Sequence, residues 1–228
     1  MKVVILAGGK GTRISEYTKL VPKPMIKIAG LPIIIHIMKL YIKYGFKDFI
    51  IAAGYKSVIV ENYFQKNKFN CNIQVINTGL NTMTGGRIKR LFKHLKKETF
   101  LMTYGDGISD VNLNKLISFH KKKKKLITMT AVRPPARFGV IKFKGEHVKY
   151  FKEKPTMDEG WINGGYFVIE PDFIKFIKND RTYLEKEPLE TALKKKQLIA
   201  YKHYGFWQCM DTKRDKVKLE KILKLRKI

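Results

Sequence analysis

Four stretches of this 228-residue chain carry residue types that could act together. The first is LAGGKGTR, residues 6–13, where Leu6 and Ala7 lead into Gly8, Gly9 and Gly11, then Thr12 and Arg13. Glycines let the chain turn tightly and bring backbone N–H groups close to a ligand. N–H groups aimed one way make an anion cradle, and Arg13 adds a planar fork suited to phosphate. VPKPM (21–25) follows, in which Pro24 is expected to hold Lys23 in extended backbone as a stiffened point charge. The second stretch is YGDG (104–107), whose Asp106 is flanked by glycines and could reach a metal or a donor without crowding. The third is FKEKPTMDEGWINGGYF (151–167). Its Glu153 and Asn163 can meet sugar hydroxyls, and Lys154 can meet a phosphate. The fourth is GFWQCMDT (205–212), which ends on Asp211 and Thr212.

Each of these also has a plainer reading. Asp106 could be a turn aspartate, Asp211 a helix cap, Lys23 a surface lysine, and 151–167 a hairpin with a charged edge. Taken together, two carboxylates, two or three fixed cations and an amide cradle are the components of metal-assisted phosphoryl chemistry. The glycine loop matches neither common phosphate motif. The dinucleotide fingerprint needs a glycine three residues after Gly11, where Ile14 stands, and the order of a P-loop is absent. No Ser–His–Asp or Cys–His arrangement stands out. The histidines form no plausible metal cluster, and His36, within an apolar stretch, is expected in or beside the core.

The elements that must position these residues can be read from periodicity. KVVILA, KDFIIAAG (47–54), NIQVIN (72–77) and TFLMTYGDG (99–107) read as strands. PIIIHIMKLYIKYG (32–45), SVIVENYFQKN (57–67, with Ser57 able to cap it) and GGRIKRLFKHLKK (85–97) read as the helices between them. Alternating strands and helices predict an α/β fold, a Rossmann-like and mostly parallel sheet covered on both faces. Ligands of such sheets bind beyond the carboxyl ends of the strands, where AGGKGTR and YGDGISD both lie. Asp110 is placed to cap the next helix. Beyond about residue 125 the rhythm shifts to KLITMTAV, GVIKFKG, HVKYFKEK and GGYFVIE as strands. PDFIKFIKN and EPLETALKKKQ follow as helices, then a strand LIAYKHYG and a closing helix KRDKVKLEKILKLRK. This reads as mixed sheet added to the first half and sharing its core. The expectation is a single domain over 1–228, with halves at about 1–124 and about 125–228.

The totals limit the function classes. An apolar fraction of 44% allows a sizeable core. No apolar run approaches the roughly 20 residues of a membrane span. Cys71 and Cys209 make no disulfide or metal framework, and a reducing cytoplasm is the default. The net charge of +28 would attract polyanions, yet the excess is mostly lysine spread along the whole chain, dense only in HKKKKK (120–125). Without interleaved aromatics this suits solvated lysine faces better than specific nucleic-acid binding.

LAGGKGTR, Thr18, VPKPM, YGDG, EKP, NGG and FWQCMDT occur in this order across nearly the whole chain. In this the sequence resembles the sugar-1-phosphate nucleotidyltransferase family. RISEYT, TMTGGRIKR, RFGV, INGGYFV and GFWQCMDTKRDK resemble its branch of cytidylyltransferases acting on glucose 1-phosphate. The resemblance implies a nucleotide-binding α/β sheet with a mixed-sheet, sugar-binding portion. It implies that a sugar 1-phosphate attacks the α-phosphorus of CTP or another nucleoside triphosphate and releases pyrophosphate. By the same resemblance Leu6, Ala7, Gly8, Gly9, Gly11 and Thr12 would hold the nucleotide, and Arg13 would grip pyrophosphate. Lys23 would neutralise the α-phosphate, and Gly85, Gly86 and Arg87 would border the base and phosphates. Asp106 and Asp211 would hold Mg²⁺. Lys154 would steer the sugar phosphate, while Gly139, Glu153, Asn163 and Gly164 would face the sugar. No specific nucleic acid and no membrane is implied; a homo-oligomer is left open. Members of this branch carry a longer segment between the second helix and third strand, where FQKNKFNCNIQV is short here.

Overall fold

The computed structural model describes residues 1–95, 98–134, 139–152 and 160–226. Glu153 and Lys154 lie outside the described residues. The first half runs β1 (Val3–Ala7), α1 (Ser15–Thr18), β2 (Lys27–Ile28), β3 (Leu31–Pro32), α2 (Ile33–Lys43) and β4 (Asp48–Ala53). It continues with α3 (Ser57–Lys66), β5 (Asn72–Asn77), α4 (Thr84–Leu91), β6 (Phe100–Tyr104), β7 (Gly107–Ser109) and α5 (Leu113–Lys123). The second half adds β8 (Ile127–Val132), β9 (Val140–Lys144), β10 (His147–Lys152) and β11 (Ile162–Ile169). It closes with α6 (Glu187–Lys194), β12 (Leu198–His203), β13 (Trp207–Cys209) and α7 (Lys213–Arg226).

One seven-stranded sheet crosses both halves in the order β12-β8-β11-β6-β1-β4-β5. The pairs β1–β4, β1–β6, β4–β5 and β8–β12 are parallel; β11 runs antiparallel to both β6 and β8. The fold is therefore α/β with a mostly parallel central sheet. β1 shows why. All five of its residues are buried, and their alternation sends Val3, Ile5 and Ala7 to one core and Val4 and Leu6 to the other. The first core is closed by α2, through Ile33, Ile37 and Tyr41, and by Leu219 and Leu223 of α7. The second is closed by Ile88 and Leu91 of α4 and by Leu189 and Ala192 of α6.

Several local expectations need correction. The helix expected over 85–97 ends at Leu91 and tightens into a 3₁₀ turn, Phe92–His94. PDFIKF is a 3₁₀ helix, Pro171–Phe176, rather than an α-helix. Asp110 does not cap α5; Asn112 does, its side chain accepting from the Lys115 N–H at 3.0 Å. Asp110 instead pairs with His203 at 3.0 Å. Ser57 caps nothing, its hydroxyl accepting from Asn77. His36 is buried, with Nε2 2.8 Å from the Ile28 carbonyl oxygen. Much of the HKKKKK run falls in the last turn of α5, where cations suit the negative end of the helix dipole.

Candidate active site

The site lies where the carboxyl ends of β1 and β6 meet, the place such sheets leave open for ligands. β1 delivers the glycine loop. Gly11 has φ +63°, and a Cβ there would come within 2.8 Å of Thr18 Cγ2. Thr18 fixes the loop from below by donating to the Gly11 carbonyl at 3.1 Å. Gly9 has open space around it, so the cleft side of the loop stays bare. Thr12–Ile14 then form a 3₁₀ turn that carries Arg13.

Lys23 arrives by a route the sequence does not predict. The extended residue is Pro22 (ψ 150°), and Lys23 opens a 3₁₀ turn, Lys23–Met25. The bond from the Met25 N–H to the Pro22 carbonyl closes that turn. Pro24 fits there because its missing N–H would find no partner in a first turn.

Asp106 and Asp211 are 105 positions apart, and a small antiparallel ladder joins them. β7 follows Asp106, β13 precedes Asp211, and Gly107 pairs with Cys209. The Met210 N–H bonds the Asp106 carbonyl at 2.9 Å. Tyr166 on β11 donates to the Gly107 carbonyl at 2.9 Å, and the Trp207 indole donates to the Gly164 carbonyl at 2.7 Å. Both bonds tie the ladder to the main sheet.

The result is a tight charge cluster. Lys23 Nζ lies 2.5 Å from Asp106 Oδ2 and 2.7 Å from Asp211 Oδ1. Arg13 Nη1 lies 2.9 Å from the other oxygen of Asp211. The Lys23 side chain is only 12% exposed, whereas that of Arg13 is 74% exposed. Burial by itself would lower the Lys23 pKa. The charges and hydrogen bonds of Asp106 and Asp211 outweigh burial and hold the ammonium above its ordinary value. Burial, then the neighbouring Asp211, Asp106 and Asp215 charges, pushes the Cys209 thiol up to about 12, so it stays a neutral thiol.

Asp211 is available to this cluster because another carboxylate caps α7. Asp215 accepts from the Asp211 N–H at 3.2 Å and the Thr212 N–H at 2.9 Å, while the Thr212 hydroxyl accepts from the Asp215 N–H. That is a reciprocal capping box. The helix-cap reading of Asp211 therefore belongs to Thr212 and Asp215.

Around the cluster is a cleft of about 980 Å³. Leu6, Ala7, Gly9, Gly11, Thr12 and Arg13 line it, with Lys23, Asp106 and Asp211 at its floor. Asn163 and Gly164 of β11 form the opposite wall. Asn163 Oδ1 accepts from the Gly165 N–H at 2.8 Å, which fixes its side chain. Gly8, Gly85, Gly86, Arg87 and Gly139 are not among the described residues lining the cleft.

Four of those five have packing duties; a Cβ on Gly85 would meet the Thr182 carbonyl oxygen at 2.8 Å. Arg87 is 4% exposed. Its guanidinium donates to Thr78 Oγ1 at 2.6 Å and to the carbonyls of Gly79, Gly8 and Ala53 at 2.8, 2.9 and 3.2 Å. Burial, then the nearby Arg90, lowers its pKa. A Cβ on Gly8 would fall 2.1 Å from that guanidinium. On Gly86 it would meet the Asp180 carbonyl oxygen at 2.4 Å, so Gly86 lets α4 lie against 180–184. Arg87, expected beside the base and phosphates, instead braces the glycine loop from behind.

Sequence reading missed one wall. Tyr104 donates to Glu185 Oε1 at 2.5 Å, and Thr84 donates to Glu185 Oε2 at 2.6 Å. All three line the cleft. Burial, then the Glu185 charge, holds the Tyr104 phenol far above its ordinary pKa, so it remains a donor. Arg214, Lys218 and Trp207 were also missed. Tyr104, Thr84, Trp207 and Arg214 stand within the motif stretches, whereas Glu185 and Lys218 lie outside them.

Asp106 and Asp211 offer oxygen donors alone, which suits a hard cation that completes its shell with water and phosphate oxygens. No group of three or more His, Cys, Asp or Glu side chains able to hold a metal occurs among the described residues. No helix among them is long and apolar enough to cross a membrane.

Known proteins are similar to this chain over nearly its whole length. The chain is 46% identical to the glucose-1-phosphate cytidylyltransferase of Salmonella typhimurium (strain LT2), over 96% of this chain and 95% of that protein. It is 38% identical to the probable glucose-1-phosphate cytidylyltransferase of Bacillus subtilis (strain 168), over 97% and 96%. Among solved structures it is similar to HddC from Yersinia pseudotuberculosis, with TM-score 0.76 and 25% identity over 97% of this chain and 99% of that one. A UDP-glucose pyrophosphorylase complexed with UDP-glucose shares the fold at 19% identity, with TM-score 0.77 over 99% and 98%. The nucleotidyl transferase family profile matches residues 2–211, and with the glycine loop, Lys23 and the two aspartates converging as described, the chain belongs to that family.

Proposed function

We propose that this protein joins CTP and glucose 1-phosphate to give CDP-glucose and pyrophosphate. A phosphate oxygen of the sugar attacks the α-phosphorus of CTP. The bond from that phosphorus to the bridging oxygen breaks, and its electron pair leaves with pyrophosphate. The nucleophile is already an anion, so no general base is needed. The obstacle is repulsion between two anions, which preorganised positive charge lowers.

The residues divide this work. Backbone from Leu6 to Thr12 holds the nucleotide, and Arg13 stands at the exposed rim where the departing pyrophosphate is gripped. Lys23, nearly buried and fixed between two carboxylates, supplies the charge at the α-phosphate. Asp106 and Asp211 would hold Mg²⁺, which when bound shields the phosphate charges. Asn163 and Gly164 on the far wall take the sugar phosphate, with Glu153 and Lys154 assigned to it by the family resemblance. The 46% identity to a named cytidylyltransferase supports the choice of substrates.

The observation that carries the reading is Lys23 Nζ bridging Asp106 and Asp211 on the floor of the cleft. Pyrophosphate release with CTP and glucose 1-phosphate tests it, with and without Mg²⁺, beside UTP, dTTP, GTP and other sugar 1-phosphates. The expected result is metal-dependent release that is fastest with CTP and glucose 1-phosphate. A much faster rate with another base or sugar would overturn the substrate assignment while leaving the reaction class.

A further inference from the structure

Helix α7 sorts its charges by face. On one side Lys216 Nζ lies 3.2 Å from Glu220 Oε2, and Lys224 Nζ lies 3.9 Å from Glu220 Oε1. Asp215 is buried and used in the cap. The remaining polar side chains of this stretch are basic. Lys213, Arg214, Lys218 and Lys221, with Val217 between them, form a continuous basic patch. Arg214 and Lys218 also line the main cleft, so the patch borders it. Arg214, Lys218 and Lys221 are spaced at i, i+4 and i+7 and so share one helix face. Among the described residues none forms an ion pair with any of these three.

The contrast with the glycine loop gives this meaning. Arg13 and Lys23 are already partly neutralised by Asp211 and Asp106. A nucleoside triphosphate, or the pyrophosphate cut from it, brings several negative charges into the same cleft. Exposed lysines are ordinary on a chain of net charge +28. Arg214 and Lys218 differ because they wall the cleft and begin three residues after Asp211, and the carboxylate between them on the helix, Asp215, is used by the cap.

We infer that Arg214 and Lys218 form a polyphosphate subsite. They hold the β- and γ-phosphates of the bound nucleoside triphosphate and then the pyrophosphate it becomes, with Lys221 at the outer end. The inference rests on the nucleotidyl-transfer reading but not on the identity of the base.

Titration calorimetry with inorganic pyrophosphate tests it on the full chain and on Arg214→Ala, Lys218→Ala, the double variant, Arg214→Lys and Lys224→Ala. Each single truncation should weaken pyrophosphate binding about tenfold, as loss of one charge-assisted contact does. The double variant should lose more than either alone. Arg214→Lys should restore much of the loss, which a collapsed helix would not allow. Lys224→Ala changes the same net charge on the other face and should leave binding unchanged, and glucose 1-phosphate should bind all variants alike. The inference is overturned if the double variant binds pyrophosphate like the unaltered chain, or if Lys224→Ala loses as much as Arg214→Ala. A wrong nucleotide assignment would appear in the base screen and leave this titration as it is.

Discussion

Arg13 and Arg87 stand on opposite sides of one glycine loop and have opposite surroundings. Arg13 is largely exposed, reaches one carboxylate and lines the cleft. Arg87 is buried, and every acceptor of its guanidinium is a backbone carbonyl or the Thr78 hydroxyl. The family resemblance assigned both to the nucleotide. What separates them is depth. A cation in the cleft can meet a ligand's charge, whereas one behind the loop can act on the ligand only by fixing the backbone that meets it. The loop thus has a chemical face and a structural back, and the two should fail differently when broken.

The largest expected effect is on the chemical face. Lys23→Met should lower turnover on the order of 10²–10³-fold, comparable to removing one preorganised donor from a reacting anion. Steady-state pyrophosphate release measures it, and a drop of less than about tenfold would remove Lys23 from the chemistry. The same variant carries a pH signature. The folded pKa of Lys23 is raised, so its stabilisation is fully present below the ordinary value of 10.5 and is lost only as pH rises through the higher folded value. The stability difference between the unaltered chain and Lys23→Met should therefore be flat through neutral pH and shrink only in strong alkali.

Arg87→Met probes the back of the loop. It removes four donor bonds, leaving the Gly79 carbonyl without its donor while the Gly8 and Ala53 carbonyls keep the Tyr55 and Thr78 N–H groups, a loss of about 3 kcal/mol. Denaturant unfolding should show this, and whatever folded protein remains should keep its turnover per molecule better than Lys23→Met does. If instead Arg87→Met unfolds normally and is catalytically dead, the division between the two faces is wrong. Arg13→Ala should show the reverse pattern, with turnover down about tenfold and an unchanged melting temperature, because its ion pair is solvent-exposed. Smallest is Thr212→Ala, which removes one half of the α7 capping box and should cost about 1 kcal/mol in the unfolding midpoint. A modest fall in activity should accompany it, since the cap holds the backbone N–H of Asp211.

Much of this fold was legible in the sequence because parallel strands, buried in the centre and half-buried at the edge, are written as short β-branched runs. KVVILA, KDFIIAAG and NIQVIN each became a strand of the central sheet. Caps were less legible. Asp110 and Ser57 had the right chemistry in nearly the right place, but tertiary partners, His203 and Asn77, claimed them. In the site, LAGGKGTR, Lys23, Asp106 and Asp211 were found because glycines and prolines mark them. Tyr104, Thr84 and Glu185 were not, because the two bonds that join them span 81 and 101 positions and nothing local pairs them. Arg214 and Lys218 were hidden in a lysine-rich helix whose face toward the cleft no periodicity reveals.

By itself the sequence determined the strand-and-helix rhythm, the bare glycine backbone at the end of β1, and the presence of two cations and two carboxylates in motifs of one family. Only the tertiary structure decided that the β7–β13 ladder brings Asp106 and Asp211 to one ammonium, and that Arg87 turns inward while Arg214 faces the cleft. The physical reason is range. Backbone preferences act over a few residues and can be read along the chain, whereas charge pairing and burial act through space, between residues the sequence keeps far apart.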